Sequence, residues 1–370
     1  MADGLRSLGA AIDEQGPDWA VTGGSFTDTP AAIDVGNAGT VARFLPSVAA
    51  LATAPVEFDG DARMRERPLA PLIEALRLIG VRIDDGGRGA LPVTIESIGR
   101  VAGGAVTVDA SASSQLISGL LLAAPRYDAG VEVTHVGPPV PSAPHLQMTV
   151  EMLRSAGASV DVDTDRWRVA PGALRPAEWV IEPDLSSAAP FLAAAVATGG
   201  RVHVPGWPSS TTQPGGLLPE LLAQMGARYE LTSDGLTLSG PEVILGIDAD
   251  LHACSELVPV IAALAALATA PSRLRGIAHM RQQETDRLAA LATEIGRLGG
   301  DVRETVDGLE IRPQRLHGGI VETYDDHRLV MAAAVLGLVV PDVQVENAAT
   351  AAKTLPEFTQ LWTRMLDVGR

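Results

Sequence analysis

The sequence predicts an α+β protein of two domains, each assembled from repeated strand–helix–strand units. Two observations carry that expectation. A polar cluster followed by a helix of small apolar residues, a tight turn and a strand occurs five times, starting at Asp34, Asp109, Glu182, Cys254 and Tyr324. A second helix type alternates with the first and closes on glycine, at Gly80, Gly157, Gly226 and Gly299. That is the left-handed cap position glycine adopts at least cost. Landmarks of one type return roughly every 70 residues, longer than the common solenoid periods, so the repeat is larger than a helix pair.

Residues 1–13 form a second-type helix with its glycine at Gly9. Residues 36–40 (GNAGT) are a glycine turn leading into the first small-residue helix. It lacks the Gly-Lys-Ser/Thr ending of a nucleotide P-loop. Residues 63–68 (RMRERP) read as a basic loop before a helix whose first turn Pro68 can occupy.

Residues 109–137 run from a strand ending at Asp109, through Ser111, Ser113, Ser114 and Gln115, to a helix over 116–124 and a strand over 131–136. Serine oxygens satisfy orphan amides at a helix start. Capped amides with several hydroxyls also make an anion site. Both readings stand at this level.

A domain boundary fits best near residues 180–184, giving domains 1–182 and 183–370 with three second-type helices on each side. Residues 257–271 are the longest apolar run; they contain Pro259 and are too short to span a bilayer, so they read as a buried helix. Residues 279–288 (HMRQQETDRL) start the next second-type helix, with Glu284 and Arg287 spaced to pair one turn apart.

Residues 324–328 (YDDHR) open an apolar helix. A histidine and an arginine at a helix N-terminus oppose the macrodipole, and an anion held between them would explain their presence. Lys353 and Thr354 precede the last helix, over 355–366. The count is then six second-type helices and five first-type helices. At constant spacing the absent first-type helix corresponds to about 45–65 residues upstream of Met1.

Of the 370 residues, 46% are hydrophobic but only 4% aromatic, which implies cores of Ala, Leu and Val with closely packed helices. A net charge of −17 argues against nucleic acid as a partner. One cysteine, Cys254, rules out an internal disulfide, and the seven histidines show no paired metal-ligand spacing. No metal or cofactor is expected, and a reducing cytoplasm fits. No signal region opens the chain.

In this order GNAGT, RMRERP, SASSQ (111–115), SAPH (142–145), ETDR (284–287), DHR (326–328) and AKT (352–354) resemble the 5-enolpyruvylshikimate-3-phosphate synthase family, over about residues 4–366. The resemblance implies an α/β prism of two domains, each of three repeats around a pseudo-threefold, that closes on shikimate 3-phosphate and phosphoenolpyruvate. It implies a transferase acting on these two small molecules; a cytoplasmic monomer with neither nucleic-acid nor membrane partners is the expectation beside it.

Carried over by position, Ser113, Ser114 and Ser142 would hold the shikimate phosphate and Gln115 would contact the ring. Gly39, Arg63, Gln115, Arg287, Arg328 and Lys353 would bind phosphoenolpyruvate. Glu256 would contact the shikimate hydroxyls and take the attacking proton, Glu284 would be the other acid–base carboxylate, and His327 would line the same site. Asp184 lies at the interdomain crossing.

Three departures stand out: Gln283 replaces a frequent Lys, His145 replaces a frequent Tyr, and the family's amino-terminal glycine–serine–lysine–serine segment is absent. The runner-up is a UDP-N-acetylglucosamine enolpyruvyl transferase. There the loop before Arg-Pro usually carries a reactive cysteine, where this chain has Ala62. A truncated, inactive shikimate 3-phosphate-binding copy is the third reading.

Overall fold

In the computed structural model, which describes residues 1–96 and 98–368, the chain divides into two compact units, Met1–Trp179 and Val180–Arg370. Each has its own apolar core.

The first unit contains α1 (Ala2–Ser7), α2 (Gly39–Ala49), α3 (Ala62–Glu66), α4 (Ala70–Leu78), α5 (Gln115–Ala123) and α6 (Ala143–Ser155). Strand Ala31–Asp34 pairs in parallel with Val56–Asp59, which pairs antiparallel with Val93–Glu96, which in turn pairs with Arg82–Asp84. Parallel neighbours need a crossover, and α2 supplies it. The same order recurs in Gly104–Val108, Val131–His135, Arg166–Val169 and Val160–Asp163, with α5 as the crossover. A two-stranded hairpin, Ala11–Gln15 with Asp18–Thr22, follows α1.

The second unit holds α7 (Leu185–Thr198), α8 (Leu218–Gln224), α9 (Val258–Ala266), α10 (Arg287–Arg297), α11 (His327–Gly337) and α12 (Phe358–Val368). Strands Asp248–Asp250, Ser272–Arg275, Leu309–Arg312 and Asp301–Glu304 repeat the mixed order a third time, around α9. A three-stranded antiparallel sheet follows α7, and α11 links a final parallel pair, Gly319–Val321 with Val343–Val345.

Small residues let the crossover helices approach closely. A Cβ on Gly119 of α5 would sit 2.1 Å from the Arg43 carbonyl oxygen of α2, so only glycine allows that packing. In the second unit α7, α9 and α11 contact one another, and all nine residues of α9 are buried, as a helix apolar on every side requires. The second-type helices are one-sided. On α10, Leu288, Leu291 and Ile295 are buried. Phe358 and Trp362 of α12 stack against Phe191 of α7. The glycines that close α1, α4, α6, α8 and α10 all have positive φ, between 90° and 104° at Gly9, Gly80, Gly157, Gly226 and Gly299.

Several local expectations need correction. Residues 62–66 are a short helix, not a loop, and Pro71 rather than Pro68 occupies the first turn of α4. Residues 278–282 form a separate 3₁₀ turn, and α10 begins only at Arg287, after the Asp286 cap. The last helix begins at Phe358 rather than at residue 355; Pro356 disfavours helical backbone at Leu355. Among the described residues no helix is long and apolar enough to cross a membrane.

Candidate active site

In the first unit the starts of α2, α5 and α6 carry the polar groups. Gly39 opens α2, and a Cβ there would lie 2.7 Å from Arg67 Nη2 and 2.9 Å from Arg43 Nη1. Glycine at this point is what lets two guanidinium groups reach the helix start. Arg43 is buried and donates from Nη1 to Gln115 Oε1 at 2.9 Å. Arg67, also buried, donates from Nη1 to the Asn37 carbonyl (3.1 Å) and to Asn37 Oδ1 (3.2 Å).

Arg63, half-buried on α3, pairs with Glu66 at 2.9 Å, and Arg65 pairs with Asp59 at 2.6 Å. The arginine of residues 63–68 that lies against Gly39 is Arg67. Arg67 belongs to the arginine cluster the sequence singled out, whereas Arg43 was not named there. Its signal was a charge inside an apolar helix stripe, Val41, Ala42 and Leu45, since buried arginines are rare unless paired.

Ser114 is buried at the start of α5 but makes no side-chain cap; Ser113 Oγ instead accepts the Gln115 amide at 3.3 Å. Ser142 precedes α6 in left-handed backbone, φ +50°. For a residue with a Cβ this conformation points to a local requirement. Its carbonyl accepts the His145 amide at 3.0 Å. Ser118 and Thr149, 2.9 Å apart, tie α5 to α6.

The second unit concentrates charge at the starts of α7, α10 and α11. Asp326 caps α11 through the Arg328 amide, 2.9 Å, and is fully buried. Arg287 Nε donates to Asp326 Oδ2 at 2.7 Å and Nη2 donates to Oδ1 at 3.0 Å. Glu284 bridges two cations, Arg287 at 3.1 Å and Lys353 at 3.1 Å. Gln283 Oε1 also accepts from Arg287. Arg328 donates to the Ser186 carbonyl (3.0 Å) and to Ser186 Oγ (2.8 Å). Asp184, the α7 cap, accepts Ser186 Oγ at 2.6 Å and Ser187 Oγ at 2.7 Å.

The electrostatics follow from this crowding. Burial works against ionised Asp326, but Arg287 outweighs it and holds the carboxyl below its ordinary range. Burial also opposes the Arg287 cation, and Asp326, Glu284 and Glu256 together raise it. Glu256 therefore stands close enough to act on Arg287, and it favours the Arg328 cation too. Desolvation opposes ionised Asp184, yet its serine hydrogen bonds and Arg328 lower it.

His327 is driven down to about 3 by burial and then by Arg328 and Arg287. It is neutral near pH 7, so it does not oppose the helix dipole as the sequence suggested. Among the described residues no group of three or more His, Cys, Asp or Glu is arranged to hold a metal ion. Of the residues expected from the sequence, Glu256, Glu284, Arg287, His327, Arg328 and Lys353 share the second unit's cluster. Gly39, Ser113, Ser114, Gln115 and Ser142 lie at helix starts of the first unit, and Arg63 lies on α3 of the same unit.

Comparison with known proteins gives these groups a context. Residues 1–362 match the family model for EPSP synthase (3-phosphoshikimate 1-carboxyvinyltransferase). The chain is 50% identical over 377 residues to the 3-phosphoshikimate 1-carboxyvinyltransferase of Kocuria rhizophila, covering 99% of this chain and 85% of that protein. It resembles the solved EPSP synthase of Acinetobacter baumannii with TM-score 0.79 and 25% identity, over 98% of this chain and 86% of that one. The enolpyruvyl transferase NikO of Streptomyces tendae shares the fold, with TM-score 0.70 and 19% identity over 98% and 85% of the two chains. The architecture is therefore that of the enolpyruvyl transferases, and with a family model matching nearly its whole length the chain belongs to the EPSP synthase family.

Proposed function

We propose that this chain transfers the enolpyruvyl group of phosphoenolpyruvate to the 5-hydroxyl of shikimate 3-phosphate and releases phosphate. Family membership and the 50% identical relative support the reaction. The observation that carries the chemistry is Glu284, a carboxylate bridging Arg287 and Lys353 at 3.1 Å each. An anion with both a phosphate and a carboxylate needs several fixed cations, and guanidinium groups bind such oxygens in bidentate fashion.

In this reading the hydroxyl oxygen bonds to the enol carbon that carries the phosphate, and the methylene carbon takes a proton. The tetrahedral ketal then loses phosphate, and the methyl returns a proton to restore the double bond. Two carboxylates in unlike surroundings can divide these transfers. Glu256 takes the proton of the attacking hydroxyl, and Glu284 serves the methylene carbon. Arg63, Arg287, Arg328 and Lys353, with Arg67 beside Gly39, stabilise phosphoenolpyruvate and the charge that develops on it. Ser113, Ser114 and Ser142 hold the shikimate phosphate, with Gln115 on the ring. The same reading takes residues 1–182 and 183–370 as domains of three repeats, in a monomeric cytoplasmic enzyme without nucleic-acid or membrane partners.

The test is phosphate release by the purified chain, given both substrates together and each alone. Release that needs both supports the reading. Release with UDP-N-acetylglucosamine as acceptor would transfer the assignment to the other enolpyruvyl transferases. Binding of shikimate 3-phosphate without turnover would make the chain a binding copy.

A further inference from the structure

Tyr324 and Asp325 both hold left-handed backbone, φ +52° and +53°, immediately before Asp326, His327 and Arg328. Residues with a Cβ keep this conformation only where the surroundings over-determine it. Here the constraints come from two sides.

Helix α10 supplies the first. Glu294, 4% exposed, accepts Tyr324 Oη at 2.6 Å through Oε1 and the Glu322 amide at 3.0 Å through Oε2. Arg297 bridges Glu294 (3.1 Å) and Glu322 (2.9 Å). Glu294 follows Arg287 by about two helical turns. One helix thus grips this segment twice, through Tyr324 and through Asp326.

The other constraint comes from the last parallel strand. Asn347 Nδ2 donates to Asp325 Oδ1 at 2.8 Å, and Thr323 Oγ1 donates to the Glu346 carbonyl at 3.1 Å. Asn347 precedes the 3₁₀ segment Ala348–Lys353, which ends in the lysine bound to Glu284. The turn therefore joins the three pieces of backbone that carry Arg287, Arg328 and Lys353.

We propose that the Tyr324–Asp325 turn sets the spacing of these three cations, with Tyr324 and Asn347 as positioning residues for phosphoenolpyruvate binding. The proposal rests on the reading of this cluster as the phosphoenolpyruvate site. Tyr324 is 38% exposed, so packing is not its main contribution. Its hydroxyl is held as a donor, the pKa pushed up to about 12 by burial and by Glu294.

Three variants of the full chain test this: Tyr324→Phe, Asp325→Gly and Asn347→Ala. Inorganic phosphate affinity is measured by calorimetry in a Ser113→Ala/Ser114→Ala/Ser142→Ala background, so that the three serines do not contribute. Phosphoenolpyruvate KM, shikimate 3-phosphate KM, kcat and thermal midpoint are measured in the otherwise unaltered chain. Phosphate affinity and phosphoenolpyruvate KM are expected to worsen about five- to thirtyfold, with shikimate 3-phosphate KM within about threefold.

Asp325→Gly is the discriminating variant. Glycine takes left-handed backbone without strain, so its midpoint should equal or exceed the parent's while anion affinity still falls. Unchanged phosphate and phosphoenolpyruvate binding in Tyr324→Phe and Asp325→Gly would overturn the proposal. So would a loss that only tracks reduced stability, or a parent chain that binds no phosphate. A parent that binds phosphate but turns over neither substrate would sink the assigned reaction and leave the turn's role to the affinity data.

Discussion

Arg287 holds Asp326 through two hydrogen bonds, 2.7 and 3.0 Å, with both side chains almost completely removed from solvent. Asp326 also caps α11, so one carboxylate fixes a helix start and a cation at once. Removing one partner of a buried pair leaves the other charge uncompensated, at a cost of about 3–5 kcal/mol. Asp326→Ala is expected to lower unfolding free energy by that amount in urea titrations. A change below about 1 kcal/mol would mean water compensates Arg287 and the pair is not dry.

Glu284→Gln is expected to reduce turnover by about 10²–10⁴-fold while substrate affinities move much less. Single-turnover kinetics separate the two effects. A fall of less than about tenfold would make Glu284 a spacer between Arg287 and Lys353 rather than an acid–base group.

Arg67 and Arg63 are tested side by side. Arg67→Ala removes a buried guanidinium beside Gly39 and is expected to cost about 10²–10³ in kcat/KM for phosphoenolpyruvate. Arg63→Ala, at a half-buried arginine paired with Glu66, is expected to lower kcat/KM for phosphoenolpyruvate by about 10²-fold. Unchanged kcat/KM in either variant would remove that arginine from the site.

Ser113→Ala and Ser114→Ala are each expected to weaken shikimate 3-phosphate binding by about 1.5–3 kcal/mol, the range for a hydrogen bond to a charged group. Calorimetry on both variants is the measurement, and unchanged affinity in both would remove the serine cluster from the phosphate site.

Acid should destabilise the second unit well before its carboxylates titrate. His327 stays neutral until about pH 3, because of burial and the neighbouring Arg328 and Arg287, against an ordinary value of 6.5. Between these values the unfolded chain binds the extra proton, so stability falls as pH falls. At about pH 5 the loss from His327 alone is about 2 kcal/mol. His279, driven down to about 4 by burial, His252 and Arg287, adds a loss of the same sign. Asp326, held low despite its burial by Arg287, contributes stability that disappears at lower pH still. Urea midpoints against pH should therefore slope less steeply for His327→Gln than for the parent. Parallel slopes would show that His327 ionises normally.

The alternation of helix types, the glycine that ends five of the second-type helices and the polar start of each first-type helix were all legible in the sequence. These are local properties. A left-handed cap needs glycine wherever it occurs, and a crossover helix buried on every side must be made of small apolar residues. The acidic and basic residues at 284, 287, 326 and 328 were legible for the same reason, since helix starts are where charges meet unpaired amides.

Which charge meets which was decided only by the tertiary structure. Arg43 reaches Gln115 across 72 positions, and Arg287 reaches Asp326 across 39. Arg63, Arg65 and Arg67 are near neighbours with the same chemistry, yet the first pairs with Glu66 and the second with Asp59. Arg67 turns inward because Asn37 and the bare backbone of Gly39 leave room for it. A guanidinium is charged wherever it lies, so its role depends on which partners the fold brings within about 3 Å, and that distance depends on residues far away in the chain.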